Sequence, residues 1–196
     1  MSEVIYRCAA LSAVKHDYLP RAVHAHPRFE LVVVADDPQV PQWAHERNAE
    51  FAAEYGVPYV RDVAAAMADY DVQVAVVSSE AERHCDLSVR AAQAGLHVIQ
   101  DKPMSTELSE CDRLVAAVRE AGVRFLLWNR NLLPALVQAR EELERGAIGD
   151  LRAIHVDFYF AKDAGPPKGS RQPGYPPISW LARQLEAHLD LSLIHI

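Results

Sequence analysis

The chain has 196 residues, of which 50% are apolar and 24% charged, and its formal net charge is -7 at pH 7. That is enough chain for one sizeable core, or for one domain and part of another. The acidic balance, with no clustered Lys and Arg, excludes a nucleic-acid surface as its main business. The strand-sized apolar runs and an amino terminus without a basic-then-apolar pattern predict neither a membrane span nor a signal peptide.

Val4 to Leu11 is an apolar, β-branched and aromatic run suited to a first strand, and Leu19 to His26 follows as a short helix. Leu31 to Ala35 predicts a second strand that ends in Asp36-Asp37-Pro38. Ala44, Asn48, Phe51 and Tyr55 recur at helical spacing, so Gln42 to Tyr55 predicts a helix stopped by Gly56. Val57 to Val60 and Val63 to Ala68 read as a short strand and a short helix. Val72 to Val77 is apolar on both faces, as a central parallel strand should be. Ala81 to Ala94 predicts a helix stopped by Gly95, and Val98 to Gln100 the next strand. Leu108, Cys111, Val115 and Val118 stand three and four apart, so Ser105 to Ala121 predicts an amphipathic helix closed by Gly122.

Strands and helices alternate from Val4 to Trp128, which predicts a doubly wound α/β domain over residues 1–128, a parallel sheet with helices on both faces. In such sheets ligands bind beyond the carboxyl ends of the strands. Those ends carry Ser12, Asp36, Ser78-Ser79, Asp101-Lys102 and Asn129-Arg130. Cys8, Cys85 and Cys111 form no Cys-x-x-Cys pair, so the expected setting is a reducing cytoplasm.

After Trp128 the character changes. Leu132, Leu136, Ala139 and Leu143 form a helical stripe ended by Gly146, and Leu151 to Phe160 alternates apolar and polar residues. Such a half-exposed strand predicts the start of an α+β open-sheet domain over residues 129–190. The row His155, Asp157 and Tyr159 reads as the solvated or substrate-facing side of that sheet and not as a metal site. Ala161 to Pro177 holds five prolines and three glycines and reads as an irregular loop. Leu191 to Ile196 matches a translation of CTG TCT CTT ATA CAC ATC, which resembles a transposon end. Residues 191–196 are therefore expected to be a non-native tail on a truncated coding sequence.

In order and spacing, Ser78-Ser79, His84, Ala92-x-x-Gly95, His97-Val98, Asp101-Lys102-Pro103, Asn129-Arg130 and Gly146-Ala147-Ile148-Gly149-Asp150 resemble the Gfo/Idh/MocA family of nicotinamide-dependent oxidoreductases. The resemblance implies a Rossmann domain, then a domain whose open sheet forms a substrate face and often a subunit interface. It implies hydride transfer between a nicotinamide cofactor and a sugar, cyclitol or related polyol, by a protein that is a homo-oligomer at full length. Lys102 would reach both the nicotinamide ribose and the substrate, and Asp101, which shortens the family's Glu-Lys-Pro to Asp-Lys-Pro, would orient it. Ser79 and His84 match positions near the cofactor's phosphates and ribose, and Asn129 and Arg130 match the entry to the second domain, where they join the cofactor-binding set. Asp36 would accept hydrogen bonds from the adenosine ribose, and with no basic residue close behind it in sequence, NAD is expected over NADP.

Two departures stand out. No glycine occurs before Gly56, so the family's glycine-rich phosphate loop is replaced by Cys8 to His16, where Ser12, backbone amides and Lys15 would have to serve. The family's catalytic Asp and His in a glycine-rich helix are also missing; His188 and Asp190 lack the Gly-Gly that should precede them. The alternatives are therefore a non-catalytic dinucleotide-binding or regulatory protein, or an inactive fragment.

Overall fold

A computed structural model describes residues 4–129 and 133–153 of the chain. The chain divides into two compact units, residues 1–128 and 129–196.

The first unit runs β1 (Tyr6–Leu11), α1 (Tyr18–Ala25), β2 (Phe29–Ala35), α2 (Gln42–Glu54), β3 (Tyr59–Val60), α3 (Val63–Asp69), β4 (Val74–Val77), a 3-10 turn (Ala81–Arg83), α4 (His84–Gln93), β5 (His97–Gln100), α5 (Leu108–Ala121) and β6 (Phe125–Leu127). The strands form one sheet in the order β3-β2-β1-β4-β5-β6, and every pairing is parallel. This is the doubly wound α/β fold that the alternation predicts. The chain moves outward one way from β1 and then returns to start β4 on its other side, so the crevice between the ends of β1 and β4 is the switch point of the sheet.

Helices cover both faces because the strands are apolar on both. Cys8, Val74 and Val76 pack on Leu19 and Val23 of α1, and Ala10 and Val34 pack on Phe51 and Ala52 of α2. The alternate residues Ala9, Leu11, Val33, Ala75 and Val77 pack on Val63 and Ala66 of α3 and Leu87 and Ala91 of α4. β4 is wholly buried, and burial of such Val side chains stabilises the fold by roughly 1.5–3 kcal/mol each. α5 lies against α4 through Leu114 and Ala117, and ends where Gly122 takes a left-handed φ of 66°.

Several element boundaries differ from the sequence expectation by one to three residues, β1, β2 and β3 starting at Tyr6, Phe29 and Tyr59 in place of Val4, Leu31 and Val57, and three further starts show what intervenes. β4 starts at Val74 and not Val72: the Gln73 side-chain carbonyl accepts from the Arg7 N–H at 2.8 Å, and its N–H donates to the Arg7 carbonyl at 2.9 Å. Ala81 to Arg83 is a 3-10 turn, so α4 begins at His84. α5 begins at Leu108 because the Ser105 hydroxyl accepts from the Glu107 N–H at 3.1 Å and donates to Glu110 at 2.6 Å, which holds residues 105–107 in a turn.

In the second unit, α6 (Pro134–Glu144) starts with proline in its first turn, where the missing N–H costs nothing, and the chain leaves it through Gly146 at φ 73°. Of the strand expected over Leu151–Phe160, residues 151–153 carry no regular structure. The remainder lies outside the described residues, as do His155, Asp157, Tyr159, the proline-rich loop, His188, Asp190 and the tail Leu191–Ile196.

Candidate functional site

Four of the predicted polar clusters lie at the carboxyl ends of strands of the first unit, and the loop after β1 is at their centre. Ser12 is fully buried at φ 63°, a left-handed conformation that costs a residue with a Cβ roughly 1–2 kcal/mol. Its N–H donates to the Ala35 carbonyl at 2.8 Å. Further bonds hold the loop in place of glycine's freedom: the Ala13 N–H donates to Asn48 Oδ1 at 2.7 Å, the Lys15 N–H to the Ser78 carbonyl at 3.3 Å, and Arg47 to the Val14 carbonyl at 3.0 Å. A cavity of about 360 Å³ opens beside it between α1 and α2, lined by the cations Lys15, Arg21 and Arg47 and by the acids Asp17, Glu50 and Glu54.

Ser12 and Ser78 directly follow Leu11 and Val77, which are paired across β1 and β4. Both hydroxyls are buried at this switch point without a hydrogen-bond partner. Buried polar groups are rarely left so, because each costs about 1–3 kcal/mol. Two such hydroxyls suit an oxygen-rich ligand, so the residues present fit a dinucleotide despite the missing glycines.

Asp36 stands at the end of β2 and is also fully buried. Its Oδ1 accepts from the Asp37 N–H at 2.8 Å and from Arg83, and its Oδ2 accepts from Asn48 Nδ2 at 2.8 Å. Arg83 also donates to Asp37 at 3.2 Å, and Arg90 grips Asp37 with two bonds of 2.8 Å. Burial pushes the Asp37 carboxyl up, but Arg90 and Arg83 together outweigh it and hold it below its usual value. The cation missing near Asp36 in sequence thus arrives from 47 residues away.

Asp101, at the end of β5, is fully buried, and its carboxylate is held by Tyr18 at 2.6 Å and by His16 Nδ1. Burial pushes this carboxyl up as well, yet the hydrogen bond and charge of His16 and the Tyr18 hydroxyl leave it below its usual value. Asp101 therefore ties the start of α1 to the end of β5, and it forms no ion pair with Lys102. Lys102 is half-buried, precedes a cis bond to Pro103, and forms no ion pair among the described residues. His84 is buried with Nδ1 2.7 Å from the Pro103 carbonyl and Nε2 3.0 Å from that of Ser79. It fastens the loop after β4 to the one after β5. Burial drives its pKa down, against the upward pull of the two carbonyls and Asp101.

Ser12, Asp36, Ser79, His84, Asp101 and Lys102 therefore all sit on the ligand edge of the sheet. Ser79 turns its hydroxyl onto the Glu80 carbonyl at 3.1 Å, so the unsatisfied hydroxyl of this pair is that of Ser78. Asn129 opens the second unit, and Arg130 lies outside the described residues. Sequence reasoning missed Asn48, Arg83, His16 and Tyr18. Asn48 had a signal, since it is the polar member of an otherwise apolar and aromatic stripe on α2. Among the described residues no group of three or more His, Cys, Asp or Glu is placed to hold a metal, and no helix is long and apolar enough to cross a membrane.

Comparison with known proteins matches residues 11–128 to the Gfo/Idh/MocA model, described as an oxidoreductase family with an NAD-binding Rossmann fold. The chain is 30% identical over 139 residues to a dTDP-3,4-didehydro-2,6-dideoxy-alpha-D-glucose 3-reductase of Actinomadura kijaniata, covering 70% of this chain and 40% of that protein. It is 32% identical over 135 residues to a bovine (Bos taurus) trans-1,2-dihydrobenzene-1,2-diol dehydrogenase, covering 67% of this chain and 39% of that protein. The chain thus spans about two-fifths of the length of these curated relatives. Among solved structures, a 3-ketoreductase from Actinomadura kijaniata in complex with TDP-benzene and NADP superposes with a TM-score of 0.62 at 26% identity, covering 74% of this chain and 45% of that one. A dehydrogenase from Bordetella pertussis in complex with NADH and UDP-GlcNAcA, 23% identical, shares the fold with a TM-score of 0.61 over 72% of this chain and 42% of that one.

Proposed function

Because the chain belongs to the Gfo/Idh/MocA family of NAD-binding oxidoreductases, we propose that it binds a nicotinamide dinucleotide at the β1/β4 switch point and serves hydride transfer to or from a sugar, cyclitol or related polyol. The observation that carries this reading is the pair of buried, unsatisfied hydroxyls of Ser12 and Ser78 at that crevice. The substrate class is supported by the polyol and sugar oxidoreductases among its relatives, inositol 2-dehydrogenase of Rhizobium meliloti included.

The bound cofactor supplies or accepts the hydride; everything else falls to the chain. Ser12, Ser78 and Lys15 take the phosphate region, with Ser79 and His84 shaping the loop beside it. Asp36 recognises the adenosine ribose, which favours NAD over NADP. Lys102 places its ammonium beside the carbinol oxygen, where a cation stabilises the negative charge that develops as hydride leaves the adjacent carbon. Asp101 acts on Lys102 through the backbone it fixes and not through a side-chain contact. The family resemblance adds Asn129 and Arg130 to the cofactor-binding residues, and it gives the domain that follows the substrate face and the contact between copies in a homo-oligomer. The expected setting is the cytoplasm, where Cys8, Cys85 and Cys111 remain thiols.

One observation favours a second reading, a dinucleotide-binding protein without turnover: the Ala13 amide that a phosphate could use is taken by Asn48. Titration with NADH followed by assay over a polyol panel separates the two. Binding with turnover, lost in Lys102→Ala while NADH still binds, supports the enzyme; binding without turnover supports the second reading. No binding removes both and leaves an inactive fragment.

A further inference from the structure

We infer that His16 is the proton-transfer group of the reaction: its Nε2 takes the proton of the substrate hydroxyl as the hydride leaves, and returns it in the reverse direction. This rests on the hydride-transfer reading above.

Topology places the ring. In the sheet, β4 lies between β1 and β5, so the ends of β1 and β5 stand about 10 Å apart on either side of it. His16 belongs to the loop after β1, yet its Nδ1 meets Asp101 Oδ2 at the end of β5. The ring therefore lies across the carboxyl end of β4, at the switch point. The Lys15 N–H, which donates to the Ser78 carbonyl at 3.3 Å, marks the same crossing one residue earlier. Lys102 directly follows the aspartate that anchors the ring.

The anchor also sets the tautomer. Asp101 is 0% exposed, its Oδ1 accepts from the Tyr18 hydroxyl at 2.6 Å, and its carboxyl is held below the usual value, so it is an ionised acceptor. The hydrogen between it and His16 then belongs to Nδ1, which leaves the lone pair of a neutral ring on Nε2. That nitrogen has no hydrogen-bond partner among the described residues, and the side chain is 30% exposed. Asp101 from β5 and Tyr18 from α1, its ring centroid 5.4 Å away, face the imidazole, and His84 of α4 lies within range of its charge.

The other groups on this edge are already committed. His84 has both ring nitrogens on carbonyls, Asp36 accepts from three donors, and both oxygens of Asp101 are taken. Lys102 is a cation with no lone pair to offer, so it can steady an alkoxide but cannot remove the proton. In oxidation the O–H bond breaks and its proton goes to Nε2. The C–H bond breaks with its electron pair, the hydride goes to the nicotinamide ring, and the C=O bond forms. The buried Asp101 carboxylate stabilises the imidazolium, whose exposed edge then passes the proton to water.

Nitrogen NMR of the histidine rings in the wild-type chain tests the first half. Neutral His16 should carry its hydrogen on Nδ1 with Nε2 bare, and D101N should lose that bias. The polyol assay tests the second half, with thermal unfolding to check each variant. Wild-type oxidation should rise with pH and level off as the ring loses its proton. H16Q should lower kcat by about 100-fold or more and abolish that rise, while the NADH dissociation constant changes by less than about threefold. A neutral His16 ring with its hydrogen on Nε2, or a folded H16Q that keeps the wild-type pH profile, overturns the inference and leaves dinucleotide binding standing. Wild type that binds NADH without turnover overturns it together with the hydride-transfer reading.

Discussion

Asn48 donates to Asp36 Oδ2 at 2.8 Å and accepts from the Ala13 N–H at 2.7 Å, so one buried side chain of α2 joins the loop after β1 to the acid after β2. In a glycine-rich loop the backbone reaches its conformation without help. Here a side-chain amide fixes a loop that has a Cβ at every position.

Replacing Asn48 should therefore damage both stability and binding. Asn48→Ala leaves the Ala13 amide and one Asp36 oxygen without their partner, at a cost of about 1–3 kcal/mol each at most. Urea unfolding should show a loss in that range, and the NADH dissociation constant should rise. Wild-type stability in Asn48→Ala would mean that the bridge does not hold the loop.

Acid should weaken the fold at two depressed carboxylates. Asp101 and Asp37 both lie below their ordinary value of 3.8 when folded, although burial opposes the shift in each case. Unfolding raises them, so the unfolded chain binds more protons in that range, and stability rises with pH there. Their contribution is complete above about pH 4 and is lost as pH falls through the folded values. Asp101→Asn should flatten the acid limb of a stability profile below pH 4; an unchanged limb would contradict the His16 and Tyr18 attachment.

His84 governs a separate window. Its folded pKa lies below the ordinary 6.5, with burial as the leading cause. The sign is the same as for the acids: the unfolded chain takes up the proton first, so stability is full above about pH 6.5 and falls as pH drops beneath it. The melting temperature should decline from pH 7.5 to pH 5, and His84→Gln should remove most of that slope while lowering stability at pH 7.5. A slope that survives the substitution would assign it to another group.

Burial pushes the thiols of Cys8 and Cys85 up to about 12, and both side chains are fully inaccessible. A thiol reagent at pH 8 should label neither until the chain unfolds, because the thiolate is the reacting form. Fast labelling of Cys8, which lies in β1, would contradict the sheet order.

Much of this fold could be read from the chain. The all-apolar run at β4, the helical stripes of α2 and α5 and their glycine stops each follow from a local period. The starts of β4 and α5 shifted where side chains intervened: Gln73 against Arg7, and Ser105 against Glu107. The site was legible in part for the same reason. Strand ends announced Ser12, Asp36 and Asp101, because a polar residue after an apolar run is a local signal. Arg83 on Asp36 and Tyr18 on Asp101 join residues 47 and 83 apart, and no spacing rule reaches that far. Ser78 was passed over for Ser79 because only packing decides which of two adjacent hydroxyls is left without a partner.

A dinucleotide at the β1/β4 crevice is the central claim, so calorimetric titration of the chain with NADH tests it most directly, with a Ser12→Ala, Ser78→Ala double variant beside it. Saturable one-site binding by wild type is predicted, clearly weakened in the double variant, which removes the two unsatisfied hydroxyls and adds no bulk at either buried position. A folded wild-type chain that releases no heat of binding with NADH, or a double variant that binds as tightly as wild type, would contradict it.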